Sequence, residues 1–255
     1  MENVKAKKRL GQHFLTDQQI AMDIVAALSS QTERVLEIGP GMGILTQYLL
    51  QAPNLELHAI ELDEESVAYL QNHFPTLVPR LYAQDFLKSD LLQLIQPPFS
   101  IIGNFPYNIS SQILFKILDY KEEIPEVVGM FQKEVAERVA SKPGGREYGI
   151  LSVLLQAYYD IEYLFTVHEN VFNPPPKVKS AVIRLRRNRC KQLNCDEKLW
   201  KQLIKTAFNQ RRKTLRNSLK NMTFKEGFTS KPIFNKRPEQ LGVEEFVFLT
   251  ENLEL

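Results

Sequence analysis

The sequence predicts an α/β fold, with a Rossmann-like domain built on a parallel sheet and a small all-helical C-terminal domain. Short apolar runs of β type alternate with segments of helical periodicity through the first half of the chain, which is typical of βαβ units. A glycine-rich turn follows the first of these runs, as at the ligand-binding edge of such sheets. Beyond residue 187 the periodicity is helical throughout.

Apolar runs mark the predicted strands, which lie at residues 34–39, 57–62, 78–83, 99–104, 127–131, 161–167 and 181–185. Helical periodicity predicts helices at residues 18–28, 45–50, 64–72, 111–118 and 133–139. Ser110 is the expected N-cap of the fourth helix. No obvious helix separates the last two strands, so we expect the sheet to close with an antiparallel hairpin around residues 172–177.

The C-terminal region is predicted to contain three helices, at residues 196–208, 213–221 and 243–252, with Asp196 as cap of the first. Residues 186–194 are the expected linker. The sequence therefore predicts a catalytic domain at residues 1–187, which includes a basic N-terminal tail, and a basic helical domain at residues 188–255.

Charge is divided sharply along the chain. Residues 177–237 contain 19 Lys and Arg against 3 Asp and Glu, whereas residues 14–176 contain 9 against 21. The net charge of +2 therefore conceals a strongly basic segment. Solubility does not need so one-sided an excess, and it is the usual electrostatic footprint for a polyanion. We expect the C-terminal domain to bind nucleic acid.

Several classes of protein are not favoured by the composition. No stretch is long and apolar enough to predict a membrane span, and the basic residues 1–9 do not precede the continuous apolar segment of a secretory signal. The two cysteines, Cys190 and Cys195, lack the second pair or nearby histidine that a metal site requires. We expect free thiols in a reducing cytoplasm and no metal.

The glycine-rich turn reads Glu-Ile-Gly-Pro-Gly-Met-Gly at residues 37–43, and it places Gly39 and Gly41 where backbone must approach a ligand closely. Its spacing is G-x-G-x-G, whereas dinucleotide sites use G-x-G-x-x-G. No Lys or Arg occurs between Arg34 and Arg80. Together with the nearby acidic residues, this composition suits a cationic sulfonium better than the two phosphates of a dinucleotide. An NAD-dependent oxidoreductase is therefore a distant alternative.

Acidic residues follow the next two predicted strands. Glu61 ends the second strand, where it can accept the hydroxyls of an adenosine ribose, and Leu62 can pack on the adenine. Asp85 follows the third strand, where its carboxylate can take the adenine amine while Phe86 covers the ring. We predict that these residues bind an adenosine-containing cofactor.

The fourth predicted strand ends in Asn104-Phe105-Pro106-Tyr107. An exocyclic adenine amine is a poor nucleophile because its lone pair is delocalised into the ring. The Asn104 amide oxygen and the Phe105 carbonyl can each accept one amine hydrogen, which localises that pair. Pro106 fixes the turn, and Tyr107 offers a ring on which a base can stack. With the three preceding strand ends, this pattern predicts a methyltransferase that uses S-adenosylmethionine to methylate an amine.

The chain resembles the family of adenine dimethyltransferases that act on small-subunit ribosomal RNA, and the resemblance runs nearly from end to end. The motifs that carry it lie at residues 8–15, 37–46, 104–111, 172–180 and 208–219. The N-x-P-Y motif of such enzymes more often has Leu or Pro where this chain has Phe105.

The resemblance implies cofactor contacts by a set of residues from the N-terminal motif and the strand ends: His13, Leu15, Gly39, Glu61, Asp85 and Asn104. His13 stands where many family members have Asn. Phe172 looks like a second aromatic that holds the target base against Tyr107. The phosphates of the RNA would be held by a basic cluster consisting of Arg211, Arg212, Lys213 and Arg216.

The family resemblance also implies a substrate: two adjacent adenines in the 3′-terminal hairpin loop of 16S ribosomal RNA, within an immature small subunit. We expect a monomeric cytoplasmic enzyme that acts in small-subunit biogenesis and does not bind membranes. Two alternatives remain open at this point. One is an Erm-type dimethyltransferase of large-subunit ribosomal RNA, and the other is a non-catalytic RNA-binding assembly factor on the same scaffold.

Overall fold

A computed structural model describes residues 4–254, and the ends of the two predicted domains, residues 1–3 and 255, lie outside the described residues. The chain divides into two compact units. The first comprises residues up to 136 together with 160–187, and the second comprises residues 137–159 together with those from 188 onward. Residues 137–159 thus group with the second unit, whereas the sequence-based division at residue 187 assigns them to the first domain.

The described helices and strands, in chain order, are β1 (Phe14–Leu15), α1 (Gln18–Ala26), β2 (Arg34–Ile38), α2 (Thr46–Leu49), β3 (Glu56–Glu61), α3 (Glu64–His73), β4 (Leu81–Ala83), β5 (Ser100–Asn104), α4 (Ser110–Asp119), β6 (Glu126–Gln132), α5 (Lys133–Ala140), α6 (Ile150–Gln156), β7 (Tyr159–Val167), β8 (Phe172–Asn173), β9 (Ser180–Arg187), α7 (Glu197–Asn209), α8 (Leu215–Ser218) and α9 (Val243–Thr250).

A seven-stranded sheet with the order β4-β3-β2-β5-β6-β9-β7 organises the first unit. The strands from β4 to β6 are parallel, and β9 pairs with β6 in the antiparallel sense. Apolar side chains fill both faces of the central strands, as a parallel sheet covered by helices requires. The carboxyl ends of β2, β3, β4 and β5 share one edge, so the predicted arrangement of strand ends is confirmed.

Several predicted boundaries are wrong. Residues 75–80, which include the first part of the predicted strand at 78–83, form a 3₁₀ helix, and β4 is only three residues long. Pro75 and Pro79 explain the difference, because neither can donate a ladder hydrogen bond. Ser110 is the first residue of α4 rather than its cap, and its hydroxyl donates back to the carbonyls of Pro106 and Tyr107.

The last two predicted strands correspond to β7 and β9, which are neighbours at the end of the sheet, and residues 172–177 lie in the connection between them as expected. This connection is more than a turn, because Phe172 and Asn173 form β8, which pairs with β1 in a separate antiparallel ribbon. Leu15 lies opposite Phe172 in this pairing. The ribbon therefore joins the N-terminal motif to the loop that precedes β9.

The second unit is built from helices. Asp196 caps α7 as predicted, because its carboxylate accepts hydrogen bonds from the backbone N–H groups of Lys198 and Leu199. The apolar helix α6, which sequence analysis missed, packs against α7 and α9, and this packing explains why residues 137–159 join the unit. The predicted helix at 213–221 is reduced to α8, so Lys213 lies in the preceding loop.

Candidate active site

A cavity of about 230 Å³ opens at the carboxyl edge of β2, β3, β4 and β5 in the first unit. Predicted site residues from all four strand ends line it, together with the N-terminal segment: His13, Gly39, Gly41, Glu61, Leu62, Asp85, Phe86, Asn104, Phe105, Pro106 and Tyr107. The first four predicted strand ends therefore meet at one site.

The glycine turn wraps one side of the cavity. Gly39 and Gly41 both have left-handed backbone conformations, with φ of 66° and 58°. A side chain would be strained at either position, and a Cβ on Gly41 would lie 2.8 Å from the ring of Phe14. The turn is thus specified by glycine at these two points, and its backbone can approach a ligand.

Glu61 is buried and held by the backbone. One carboxylate oxygen accepts from the N–H groups of Leu62 and Asp63, both at 2.8 Å, and the other accepts from Gly41 N–H at 3.1 Å. Burial raises the pKa of the Glu61 carboxyl, although these bonds oppose the shift. A carboxylate has about four acceptor positions. Roughly one therefore stays available to a ligand hydroxyl, which is fewer than a pair of ribose hydroxyls would use.

Substitution of Glu61 by alanine should weaken cofactor binding about ten- to a hundredfold, the usual loss when a hydrogen bond to a charged group is removed. The melting temperature should change little, because the variant loses hydrogen bonds to the backbone but no longer has the desolvation cost of a buried carboxylate. Calorimetry and thermal melting measure the two effects. Glu61→Gln, which keeps one oxygen acceptor, is the matched variant and should bind with intermediate affinity. Normal cofactor binding by a variant that melts much earlier would make Glu61 purely structural.

The loop after β4 carries the predicted adenine site. Asp85 accepts a hydrogen bond from Leu87 N–H at 2.9 Å, and Leu62 on the opposite strand end is 53% exposed. Phe86 is buried. Lys116 on α4 holds this loop, because its ammonium donates to the Phe86 carbonyl at 2.6 Å and to the Ser89 carbonyl. The helix that follows the N-x-P-Y motif thereby fixes the loop that carries Asp85.

Glu37 is the penultimate residue of β2, at the start of the glycine turn, and it is fully buried. The hydroxyl of Thr46 donates to its carboxyl at 2.6 Å. Burial raises the pKa of Glu37 to about 8, with a smaller contribution from the charge of Glu61. The group is therefore mainly protonated at neutral pH.

This raised pKa predicts a pH dependence of stability. The folded state holds the Glu37 proton more tightly than the unfolded state, so the contribution of Glu37 to stability is fully present below the ordinary pKa of 4.5 and is lost as pH rises through about 8. Glu37→Gln should remove this part of the fall and be more stable than wild type above that pH. Denaturant unfolding across the pH series measures it, with Glu64→Gln at an exposed position as control. Parallel curves for wild type and Glu37→Gln would contradict the assignment.

Asn104 has a defined amide orientation. Its Nδ2 donates to the backbone carbonyl of His13 at 2.9 Å. No donor in the described part of the chain bonds its Oδ1, and the side chain lines the cavity. The carbonyl of His13 thus selects the amide rotamer that keeps an oxygen acceptor for a ligand amine.

Phe105 is buried and anchors the turn. Its ring packs edge-on against Phe131, with ring centroids 4.8 Å apart. Gly103 and Gly129 make room for it, because a Cβ at either position would lie within 2.7 Å of the Phe105 ring. The ring fills a core position, and Phe105 and Pro106 both line the cavity.

Two predicted cofactor residues lie on the N-terminal segment. The His13 ring nitrogen Nδ1 is 2.8 Å from the carbonyl of Pro174, to which it donates as the Nδ1–H tautomer. The His13 ring also lies 5.2 Å from the ring of Tyr107, between centroids. Leu15 is buried and lines a smaller cleft beneath the glycine turn. His13 therefore lies in the main cavity, and Leu15 does not.

Phe172 does not lie in the cavity. Its side chain is only 4% exposed and belongs to the core around β1, β8 and α1. The pairing of β8 with β1 draws the ring inward, so the placement of Phe172 does not support the prediction that it stacks on a base opposite Tyr107.

The predicted basic cluster belongs to the second unit, in the loop between α7 and α8 and on α8. Arg212, Lys213 and Arg216 are exposed. Arg211 is half-buried, and its guanidinium donates to the carbonyl of Arg146. Arg216 also donates to the Asn235 side chain, at 3.4 Å, but it stays exposed. Arg211 is the half-buried member of the cluster, and its bond to a backbone carbonyl gives it a role within the unit.

A family model described as ribosomal RNA adenine dimethylase matches residues 3–245. The chain belongs to this family. The relative named ribosomal RNA small subunit methyltransferase A from Cytophaga hutchinsonii is 60% identical over 255 residues, with 99% of each chain covered. The resemblance inferred from the motifs is therefore confirmed.

Two solved structures share the fold. A dimethyladenosine transferase from Plasmodium falciparum has a TM-score of 0.76 and 24% identity, covering 95% of this chain and 100% of that chain. The 23S rRNA methyltransferase ErmE has a TM-score of 0.70 and 24% identity, covering 94% of this chain and 100% of that chain. These similarities confirm the Rossmann-like α/β fold.

Sequence analysis missed the residues that attach the N-terminal segment of this dimethylase-family chain to the site. The ammonium of Lys7 pairs with Asp63 and lies 3.1 Å from Glu65, and Gln12 donates to Asp63 at 3.3 Å. The acidic pair Asp63 and Glu65 near the second strand end was visible in the sequence. Its basic partner lies 56 residues away along the chain and could not be assigned.

Within residues 4–254, no group of His, Cys, Asp and Glu side chains is arranged to hold a metal ion. In the same residues no helix combines the length and apolar character needed to cross a membrane.

Proposed function

We propose that this protein dimethylates the exocyclic amines of two adjacent adenines in the 3′-terminal hairpin loop of 16S ribosomal RNA, with S-adenosylmethionine as methyl donor. The observation that carries the proposal is the orientation of Asn104, whose amide oxygen is kept available beside Tyr107 at the cavity. The relative from Cytophaga hutchinsonii, which is named for the small subunit and matches over nearly the full length, supports the choice of RNA.

The donor groups of the cavity fit S-adenosylmethionine. Glu61 keeps an acceptor position for a ribose hydroxyl, Asp85 can accept the adenine amine, and Leu62 and Phe86 offer apolar surface to the adenine. No Lys or Arg side chain lines the cavity among the described residues, which suits a cationic ligand. When bound, S-adenosylmethionine supplies a methyl group from its sulfonium, whose carbon–sulfur electron pair stays on sulfur as the carbon–nitrogen bond forms.

The chain's own residues prepare the amine. Asn104 Oδ1 and the carbonyl of Phe105 accept its two hydrogens, so the nitrogen lone pair is directed away from the adenine ring. Tyr107 stacks on the base after it leaves its RNA stack. The amine proton passes to water as the nitrogen becomes cationic, and no general base is needed. Acceleration comes from positioning and from these fixed acceptors.

The basic cluster provides the affinity for RNA in this proposal. Arg212, Lys213 and Arg216 are exposed and able to contact phosphates, while Arg211 keeps its bond to the Arg146 carbonyl. Phosphate contacts give affinity and register but do not identify a base. The partner would be an immature small ribosomal subunit, approached by a monomer in the cytoplasm, where subunits are assembled.

The similarity to ErmE keeps large-subunit RNA as the second candidate substrate. An assay with tritiated S-adenosylmethionine distinguishes the two, with small and large subunits from a strain that lacks both modifications as substrates. We expect label in the small subunit alone. Label confined to the large subunit would assign the Erm-type activity. Binding to subunits without incorporation of label would indicate that the protein is a non-catalytic assembly factor.

A further inference from the structure

We infer that Ser180, the last residue of the motif at residues 172–180, is a positioning residue that orients Tyr107 for stacking on the target adenine. The inference rests on the proposed function, because it assumes that Tyr107 contacts the base. The supporting observation is the hydrogen bond between the Ser180 hydroxyl and the Tyr107 phenol. Ser180 does not line the cavity, so it acts through Tyr107.

The hydroxyl of Ser180 has a fixed position. The residue is 0% exposed and begins β9, where it lies opposite Gln132 of β6 in the antiparallel pair. The preceding carbonyl, of Lys179, accepts a hydrogen bond from Lys133 N–H at 2.9 Å. A fully buried serine whose strand is paired from this residue onward has little freedom to move, so the partner of its hydroxyl is held in place as well.

Tyr107 needs such a restraint. It lies in the short 3₁₀ turn after Pro106 and is only half-buried, so the surrounding core does not enclose its ring. One side of the ring meets His13, with planes inclined by 31°, and His13 is itself bonded to the Pro174 carbonyl. The phenol bond to Ser180 fixes the far end of the ring. Together these contacts fix the orientation of the Tyr107 ring before a base binds, and so they fix which ring face the base contacts.

The phenol is also in the right protonation state for this bond. Burial raises the pKa of Tyr107, so the hydroxyl keeps its proton and can donate to, or accept from, Ser180. The pair therefore persists throughout the neutral pH range.

A double-mutant cycle tests the inference. Ser180→Ala and Tyr107→Phe should each lower single-turnover methyl transfer to small subunits about tenfold, within the hundredfold that small misplacements can cost. The double variant should be no slower than either single variant, because both changes remove the same bond. The dissociation constant for S-adenosylmethionine should stay within about twofold of wild type.

Ser100→Ala is the matched control, since Ser100 is a buried serine at the other end of β5, the strand that ends in Asn104. It should leave methyl transfer unchanged.

A second measurement serves if a variant is unstable. Fluorescence of 2-aminopurine at the target position reports base stacking at low temperature, and the base should stack less with Ser180→Ala than with wild type. Additive losses in the cycle, or a loss with Ser100→Ala equal to that with Ser180→Ala, would overturn the inference. Absence of methyl transfer by wild type would instead refute the proposed function.

Discussion

Replacement of Asn104 by alanine should lower methyl transfer by on the order of a hundredfold or more, the usual effect of losing one acceptor that acts in the transition state. The physical reason is specific to this site: the carbonyl of His13 holds Nδ2, so Oδ1 is the atom kept for the amine. S-adenosylmethionine binding should remain largely intact. Single-turnover kinetics and calorimetry on the same preparation separate the two effects.

Asn108 offers a matched control for this substitution. It lines the same cavity, and its Nδ2 donates to the backbone carbonyl of Arg9 at 3.3 Å, much as Asn104 donates to His13. Asn108→Ala removes a similar tether of the N-terminal segment but no acceptor for the amine. We expect it to retain most of the activity. Near-normal turnover by Asn104→Ala, or equal losses in the two variants, would contradict the mechanism.

Removal of the exposed cations of the basic cluster should flatten the salt dependence of subunit binding. Replacing Arg212, Lys213 and Arg216 with Gln removes three phosphate contacts, and each contact releases nearly one counterion, so the slope of log affinity against log salt should fall by roughly two to three units. Arg211 is left unchanged because its bond to the Arg146 carbonyl gives it a structural role. Binding titrations across a salt series measure the slope.

A variant with equal loss of charge tests whether the cluster or the net charge matters. Lys198, Lys205 and Lys225 are exposed lysines of the same unit, and Lys225 already donates to the Glu251 carbonyl. Their replacement with Gln should change the slope much less. Calorimetry should find normal cofactor binding in both variants, since Glu61 and Asp85 belong to the first unit. Equal flattening by the two variants would show that capture of the subunit depends on diffuse charge.

The parts of the site that follow strand ends could be predicted from the sequence. Glu61, Asp85 and Asn104 each follow an apolar run, and parallel strands bring their carboxyl ends to one edge. Gly39 and Gly41 were predictable for a similar reason, because left-handed backbone favours glycine and the turn has such backbone at Gly39, Gly41 and Gly43. Local pattern and sheet topology agree at these positions.

The contacts that could not be predicted join distant segments. The pairing of β1 with β8 buries Phe172, and a ribbon with two residues in each strand has no periodicity that a sequence can reveal. The bonds of His13 to Asn104 and of Ser180 to Tyr107 span 91 and 73 residues. Such contacts depend on packing of the whole unit rather than on local preference.

We infer that this cavity dimethylates two adjacent adenines of the small subunit. Mass spectrometry of nucleotides from the 3′-terminal hairpin measures this activity, after incubation of unmodified small subunits with S-adenosylmethionine and the protein. We predict two adjacent N6-dimethyladenosines with wild type and almost none with Asn104→Ala in the same time. Methyl groups on a ring carbon, on ribose or at any other site, or equal modification by the Asn104 variant, would contradict the account.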